Sequence, residues 1–406
     1  MIQLFPPSKH SITGVIDLPA SKSISNRALI LSMLSKSMEQ ITHLADCDDT
    51  KVMLNALHSP LSAFDIGAAG TSMRFLTAYL SNMEGEWTLT GSERMKNRPI
   101  ALLVDALNRL GAEIDYIEKK GYPPLRISGK PLLGGKLKLA GNISSQYISA
   151  LLMVAPTMTE GLEITLEGDI ISIPYIRMTL RMMSDFGVTA EWKGDTIIVP
   201  HQDYKPTSFQ IESDWSAASY WYAIAALSSP DSSFRLLGLN RDSTQGDAQV
   251  AAIFGSLGIT TEYTSDGVII SHSGKPVSSF SYNFIDQPDL AQTEVVCCCL
   301  LDIPFSFSGL QTLKIKETDR IAALKNEMTK LGYILTEPAE GMLAWNGEKT
   351  TSDYNAPIKT YEDHRMAMAF APAALIHPIK MEHPEVVSKS YPRFWNDLQS
   401  VGFIIE

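Results

Sequence analysis

Two kinds of helical segment alternate along this chain, and that alternation constrains the fold more than any other feature. The first kind opens on small hydroxylated or acidic residues and runs into nearly continuous hydrophobicity. It occurs as SKSISNRALILSML from Ser21, AGTSMRFLTAYL from Ala69, SSQYISALLM from Ser144, DWSAASYWYAIAAL from Asp214, DLAQTEVVCCCLL from Asp289 and EDHRMAMAFAPAAL from Glu362. A helix that is apolar all round is enclosed on most sides. The second kind is amphipathic and stops at glycine. Leu103, Leu107 and Leu110 precede Gly111, and Ile321, Leu324, Met328 and Leu331 precede Gly332. Glycine is suited to these stops because it accepts a left-handed backbone. Further members follow Pro174, Gly246 and Arg393 and end at Gly187, Gly258 and Gly402, and residues 49–58 form a shorter, degenerate one. Short β-like runs come after the stops, at 112–117, 196–199 and 267–271.

Each amphipathic helix begins about 30 residues after its enclosed partner, so the chain reads as six α/β units of about 70 residues, the first truncated. With 406 residues, 45% of them apolar, there is material for two cores, and three units in each is the natural division. The polar stretch 210–214 places the crossover between units three and four. Periodicity alone leaves open an ordinary α/β protein with coincidental spacing.

Several partner classes are disfavoured. Residues 1–10 read as a strand running into a turn, unlike a basic and apolar leader, so neither secretion nor a transit peptide is expected. The longest apolar stretches, 148–156 and 295–301, fall short of the about 20 residues of a membrane span. A net charge of −11 argues against nucleic acid or an anionic membrane as partner. Of the four cysteines, Cys297, Cys298 and Cys299 are adjacent, which suits neither a disulfide framework nor a metal knuckle. They read as reduced core residues of a cytoplasmic protein.

Against this acidic background, basic residues gather near the polar helix starts: Lys22 and Arg27, Arg74, Arg94 with Lys96 and Arg98, Lys316 with Arg320, Arg365, and Lys389 with Arg393. A lone Lys or Arg is usually a solvated surface charge. A set repeated at helix starts is different, because free N–H groups and the positive dipole end favour phosphate and carboxylate there. Ser23, Ser25, Thr71, Ser72, Ser144, Ser145 and Ser172 stand at the same places. Any single one reads first as a helix cap, yet SSQ before Tyr147 supplies three polar groups where one would cap. For proton transfer the candidates are Asp289 in QPDLAQ, and Glu317 and Asp319 in KETDR. Each has an ordinary reading as dipole compensation, but a carboxylate among cations has the charge-dependent proton affinity that a general acid or base needs. His364 could titrate near neutrality or orient a substrate. Neither HExxH, nor a spaced His/Asp metal set, nor a GxSxG elbow occurs, so no metal or cofactor is expected.

KSISNR (22–27), AGTSMR (69–74), RMKNRP (94–99), SSQY (144–147), KETDR (316–320) and DHRMAM (363–368), in that order, resemble the 5-enolpyruvylshikimate-3-phosphate synthase family. The resemblance runs from about residue 19 to 389. It implies an α/β fold of two inside-out α/β barrels, each of three βαβαββ repeats with helices inside and sheets outside. One domain would hold 1–19 plus 213–406 and the other 20–212, with the active site in the interdomain cleft. It also implies transfer of the enolpyruvyl group of phosphoenolpyruvate to the 5-hydroxyl of shikimate 3-phosphate by a monomer acting on small molecules, in a pocket that glyphosate also occupies.

Carried over by position, the resemblance sets Lys22, Ser23, Arg27, Ser144, Ser145, Gln146, Ser172, Tyr175, Asp289 and Lys316 against shikimate 3-phosphate. It sets Lys22, Gly70, Arg98, Gln146, Arg320, Arg365 and Lys389 against phosphoenolpyruvate. Glu317 is implied as partner of the C3 proton, with Asp289 and Lys22 or Lys389 for the hydroxyl proton. Ala68, Phe75 and Thr312 depart from the residues common in the family. The related UDP-N-acetylglucosamine enolpyruvyl transferases carry a cysteine in a mobile loop, and residues 91–99 here hold none. A non-catalytic sugar-phosphate or carboxylate binding protein could keep the cations but would not need Asp289 and Glu317 together.

Overall fold

The computed structural model describes residues 1–9 and 11–406. Ile2–Phe5 is a strand, and His10, at the end of the stretch read as strand into turn, lies outside the described residues. The chain divides into two compact units, Ser21–Ile211, and Met1–Ala20 with Glu212–Glu406.

The Ser21–Ile211 unit contains helices α1 (Lys22–Leu34), α2 (Asp48–His58), α3 (Gly70–Ser81), α4 (Glu93–Lys96), α5 (Ala101–Arg109), α6 (Ser145–Val154) and α7 (Ile173–Asp185). Its clearest repeat runs Gly135–Ala140, α6, Leu162–Glu167, α7, Glu191–Lys193 and Thr196–Val199. The first two strands pair in parallel, Gly135 opposite Leu162, with α6 as their crossover. Thr196–Val199 returns antiparallel to Leu162–Glu167, and Glu191–Lys193 takes the edge. Ala63–Asp65, α3, Gly85–Thr90, α4 and α5, Glu113–Tyr116 and Leu125–Gly129 follow the same order. The first repeat is reduced. Ile41–Thr42 pairs in parallel with Phe209–Gln210 from the far end of the unit, and the chain passes from α2 directly to the strand of the next repeat. α2 itself has 11 residues, as many as the helix Arg320–Lys330, so the truncation lies in the missing hairpin and not in the helix.

The other unit contains α8 (Trp215–Leu227), α9 (Val250–Ser256), α10 (Ala291–Leu300), α11 (Arg320–Lys330), α12 (His364–Phe370) and α13 (Phe394–Ser400). Two of its sheets are completed from the N-terminus. Thr13–Asp17 pairs in parallel with Ser233–Leu237, and Ile2–Phe5 lies between Ile379–Met381 and Ile404–Ile405. The middle repeat, Phe280–Asn283, α10, Phe305–Ser308, α11 and Leu343–Trp345, ends in single bridges at Tyr333 with Lys349 and Thr336 with Ala344.

The enclosed helices pack on one another inside each unit: α1 and α6 on α3, and α8 and α12 on α10. On α8 every residue except Ser216 and Leu227 is buried, including Trp215, Tyr220, Trp221 and Tyr222. Strands alternate instead, as in Leu162–Glu167, so each sheet turns one face to the helices and one outward. All five expected glycine stops are left-handed, with φ from +81° to +102°. The sixth enclosed helix is shorter than expected. Pro372 has no N–H for an α-helical bond, and the chain continues past Phe370 as a 3-10 turn, Ala371–Leu375.

Candidate active site

In the Ser21–Ile211 unit the site residues cluster at four helix starts and one loop. Ser21 caps α1, placing Lys22 and Ser23 in its first turn and Arg27 one turn later. Arg27 is only 2% exposed. Its Nε donates to Thr179 Oγ1 at 2.7 Å, Nη2 to Ser149 Oγ at 3.0 Å, and Nη1 to the Ser23 carbonyl at 2.9 Å. These partners are neutral, and among the described residues no carboxylate pairs with it. Burial pulls the Arg27 guanidinium down to about 10. Phe75, one of the departures from the family pattern, sets its ring 5.3 Å from this guanidinium and shares in enclosing it. Lys22 is held differently, by Asp49 at 3.4 Å, a buried residue of α2.

Ser144 acts as the cap of α6, its hydroxyl accepting from the Gln146 N–H, while Ser145 is buried in the first turn. Gln146 Nε2 donates to Thr71 Oγ1 at 3.2 Å, joining α6 to the start of α3. Ser172 stands before α7 in a left-handed conformation, φ +54°, and makes no capping bond. A non-glycine residue held there is strained, as often occurs at functional sites. Tyr175 lies in the first turn of α7, and its carbonyl accepts from Arg27 Nη2 at 3.4 Å. Gly70 begins α3, and Arg98 lies directly over it. A methyl group at Gly70 would be 2.6 Å from Arg98 Nη1, so any larger residue there would have to displace the Arg98 guanidinium; no left-handed dihedral calls for glycine here. The turn ahead of it, which contains Ala68, is closed by the Gly67 N–H on Asp65 Oδ1 at 2.8 Å and the Ala69 N–H on the Ile66 carbonyl at 3.1 Å.

In the other unit the charges form one network. Arg320, 1% exposed, sends Nε to Asp363 Oδ2 at 2.7 Å, Nη1 to Asp289 Oδ1 at 3.1 Å and Nη2 to Glu317 Oε2 at 2.9 Å. Arg365 Nη2 meets Asp289 Oδ2 at 2.8 Å, Lys389 Nζ meets Glu317 Oε1 at 3.0 Å, and Lys316 Nζ stands 4.0 Å from Asp289. Burial by itself would raise Asp289, but Arg365, Lys316 and Arg320 together hold it well below the usual carboxylate range. Burial would lower Arg320, and Asp363, Glu317 and Asp289 outweigh it and raise it above its ordinary value. Among the described residues no group of three His, Cys, Asp or Glu side chains could hold a metal ion.

Not every basic or acidic residue singled out above belongs here. Lys96 pairs with Glu93 and Glu118 at the surface, and the exposed Arg393 reaches Asp17. Asp319 takes its ordinary reading and caps α11 by accepting from the Ala322 N–H at 3.1 Å. Thr312 has its hydroxyl buried with no hydrogen-bond partner among the described residues. Arg74 is buried and braces Gly70 and Pro99 through their carbonyls. His364 is almost fully enclosed, its Nδ1 3.6 Å from Asp363. Sequence reasoning passed over Asp49 and Asp363 as partners of Lys22 and Arg320. DHR contained a signal, since an acid two residues before a buried arginine was available to pair, but nothing local showed that its partner is on another helix.

Sequence reasoning also missed Asp247, which is buried before α9. Its Oδ2 accepts from Ser216, and its Oδ1 has no hydrogen-bond partner among the described residues. Burial and the charge of Asp289 push it up to about 7, with Asp214 adding and Arg365 and the Ser216 bond opposing. Between about pH 4 and 7 the folded chain therefore keeps a proton that the unfolded chain has lost, so this group makes stability fall as pH rises through that window. Asp247→Asn is expected to flatten the fall, by up to about 1.4 kcal/mol per pH unit. Urea midpoints of both proteins across the window test this, and parallel profiles would refute it. Glu294, buried on α10 and also raised by burial, contributes a similar slope to both proteins, so the difference between them is the readout.

Comparison with known proteins bears on this arrangement. A family model described as EPSP synthase (3-phosphoshikimate 1-carboxyvinyltransferase) matches residues 7–63 and 59–398. The chain is 56% identical over 397 residues to the 3-phosphoshikimate 1-carboxyvinyltransferase of Bacteroides fragilis strain YCH46, with 97% of each covered. It is 37% identical over 431 residues to the protein of that name from Aliivibrio fischeri strain ES114, with 99% of each covered. In fold it is similar to an EPSP synthase from Acinetobacter baumannii solved at 2.37 Å. The TM-score is 0.79 at 22% identity, covering 100% of this chain and 99% of the other.

Proposed function

Because the chain belongs to the EPSP synthase family, we infer that it transfers the enolpyruvyl group of phosphoenolpyruvate to the 5-hydroxyl of shikimate 3-phosphate, releasing phosphate. The observation that carries this reading is Arg27. A buried guanidinium surrounded only by hydroxyl, carbonyl and aromatic groups leaves a charge to be met by an anion, since burying an uncompensated charge is costly.

From the Ser21–Ile211 unit, Ser23 and Arg27 take the carboxylate of shikimate 3-phosphate and Ser144, Ser145 and Ser172 its phosphate, with Tyr175 alongside. Lys22, Gly70, Arg98 and Gln146 take phosphoenolpyruvate. From the other unit, Asp289 serves the ring hydroxyls, Lys316 the phosphate, and Arg320, Arg365 and Lys389 phosphoenolpyruvate. The 5-hydroxyl oxygen bonds to C2 of phosphoenolpyruvate as C3 gains a proton. The tetrahedral intermediate then loses phosphate and a methyl proton to regenerate the double bond. Glu317 lies between Lys389 and Arg320, and Asp289 between Arg320 and Arg365. When a substrate anion draws those cations, both carboxylates lose compensating charge and their proton affinity rises. Substrate binding thus prepares Glu317 for the C3 proton and Asp289 for the hydroxyl proton. The chain works as a monomer in the cytoplasm, where its four unpaired cysteines stay reduced. Sedimentation at working concentration tests the first of these points.

Phosphate release measured with both substrates, and with each alone, tests the activity. Release that requires both supports it, and release from phosphoenolpyruvate alone, or none, would overturn it. The Gly70 contact makes a second expectation. Gly70→Ala must push the Arg98 guanidinium aside and should raise the KM for phosphoenolpyruvate about three- to tenfold, the worth of one weakened charge-assisted contact. Glyphosate, a longer molecule proposed for the same pocket, should lose more. Equal factors for the two ligands would reject the steric account.

A further inference from the structure

Arg98 sits on a segment that has no long helix of its own. It is anchored by Met95, whose side chain is fully buried, by the Ser92 N–H on the Gly67 carbonyl at 3.0 Å, and by the Ile100 N–H on the Gly121 carbonyl at 2.9 Å. The residue after Arg98 carries a further tie. The Pro99 carbonyl accepts two donors from other elements, Arg74 Nη2 at 3.2 Å and the Tyr147 hydroxyl at 2.6 Å. Arg74 belongs to α3 and also donates to the Gly70 carbonyl at 3.2 Å, with its guanidinium 5.9 Å from the centre of the Tyr147 ring. Tyr147 belongs to α6 and follows Gln146, which bonds Thr71. One carbonyl oxygen thus gathers the Arg98 segment, the Gly70 helix start and the Gln146 helix start.

That oxygen is one residue from the base of the Arg98 side chain. Consecutive Cα atoms are fixed about 3.8 Å apart, so a displacement of Pro99 carries Arg98 with it. The contact that such a displacement would change is the one over Gly70, where an added methyl would lie 2.6 Å from Arg98 Nη1. Tyr147 is 7% exposed whereas Pro99 is exposed, so the bond ties a surface segment to a buried ring.

We propose that Tyr147 is a positioning residue for the phosphoenolpyruvate half of the reaction: its hydroxyl on the Pro99 carbonyl holds Arg98 in register over Gly70 and beside Gln146. This rests on the assignment of Arg98 to phosphoenolpyruvate. Tyr147→Phe keeps the ring, its packing on Arg74 and the Arg74 bond to Pro99, and removes one hydrogen bond. The expected result is a rise in KM for phosphoenolpyruvate of about three- to tenfold, with kcat and shikimate 3-phosphate affinity changed by less than about twofold. A packing role alone would lower the unfolding midpoint and leave both constants in place, which would overturn the proposal. Arg98→Ala separates the two layers. If it raises that KM while Tyr147→Phe does not, the positioning role fails and the assignment stands; if it leaves the KM unchanged, the assignment fails and the proposal with it. In the Arg98→Ala background, Tyr147→Phe should add nothing. An additional, independent rise there would show that Tyr147 acts on some other contact and would overturn the inference.

Discussion

Glu317→Gln is expected to lower turnover about 10²- to 10⁴-fold while changing the affinity for either substrate by only a few-fold, the range typical of a lost general acid or base. The amide preserves shape and still offers an oxygen to one of Lys389 and Arg320, which now meet Glu317 at 3.0 and 2.9 Å. It has no carboxyl proton to exchange with C3. The geometry sharpens the test, because a residue that only held the two cations would show its loss in the KM for phosphoenolpyruvate. Turnover near normal in Glu317→Gln would remove the residue from the proton path. A change confined to KM would reassign it to positioning.

Arg320→Met should have the largest effect on stability, a loss of about 3–5 kcal/mol, the usual result of removing one partner from a buried ion pair. Asp363 is fully buried and receives two bonds from Arg320, at 2.7 and 3.3 Å, and Asp289 and Glu317 each receive one. Methionine fills much of the volume and leaves the three acids short of a cation. Arg320→Lys should recover part of the loss, since an ammonium restores charge without the planar fork that reaches three carboxylates. The urea transition followed by tryptophan fluorescence is informative, because Trp215, Trp221, Trp345 and Trp395 lie in the same unit as Arg320. A midpoint unchanged in Arg320→Met would mean that the network contributes nothing net to folding.

Much of the candidate site was legible because its residues lie at helix starts, where local chemistry announces them. A serine or aspartate before an apolar run marks an N-terminus, and a cation in the first turns beside it has few places to go except toward an anion. That logic singled out Lys22, Arg27, Ser144, Arg320 and Arg365, while Gly70 came from the family resemblance. It left Asp319 between proton transfer and its ordinary helix-start role, and the capping role applies; it could not see Asp49, Asp363, Asp247 or Tyr147. Those four act through partners on other elements, at sequence separations that no local pattern encodes: Lys22 with Asp49, Arg320 with Asp363, Ser216 with Asp247, and Pro99 with Tyr147.

The sequence by itself determined the elements and their order. Apolar periodicity is a local property, so six enclosed helices, their amphipathic partners and the five left-handed glycine stops followed from side-chain chemistry within a few residues. Tertiary structure decided what those elements enclose. Residues 2–5 enter as the central strand of one sheet and 13–17 as an edge strand of another, both pairing with strands more than 200 residues onward. It likewise decided which charges are neutralised. A guanidinium in a sequence is one cation among many; burial with three carboxylates makes Arg320 a keystone of its unit, and Arg27 is buried with no carboxylate partner among the described residues. The physical reason is that desolvation and Coulomb energy depend on distance and enclosure in space, which chain order does not specify.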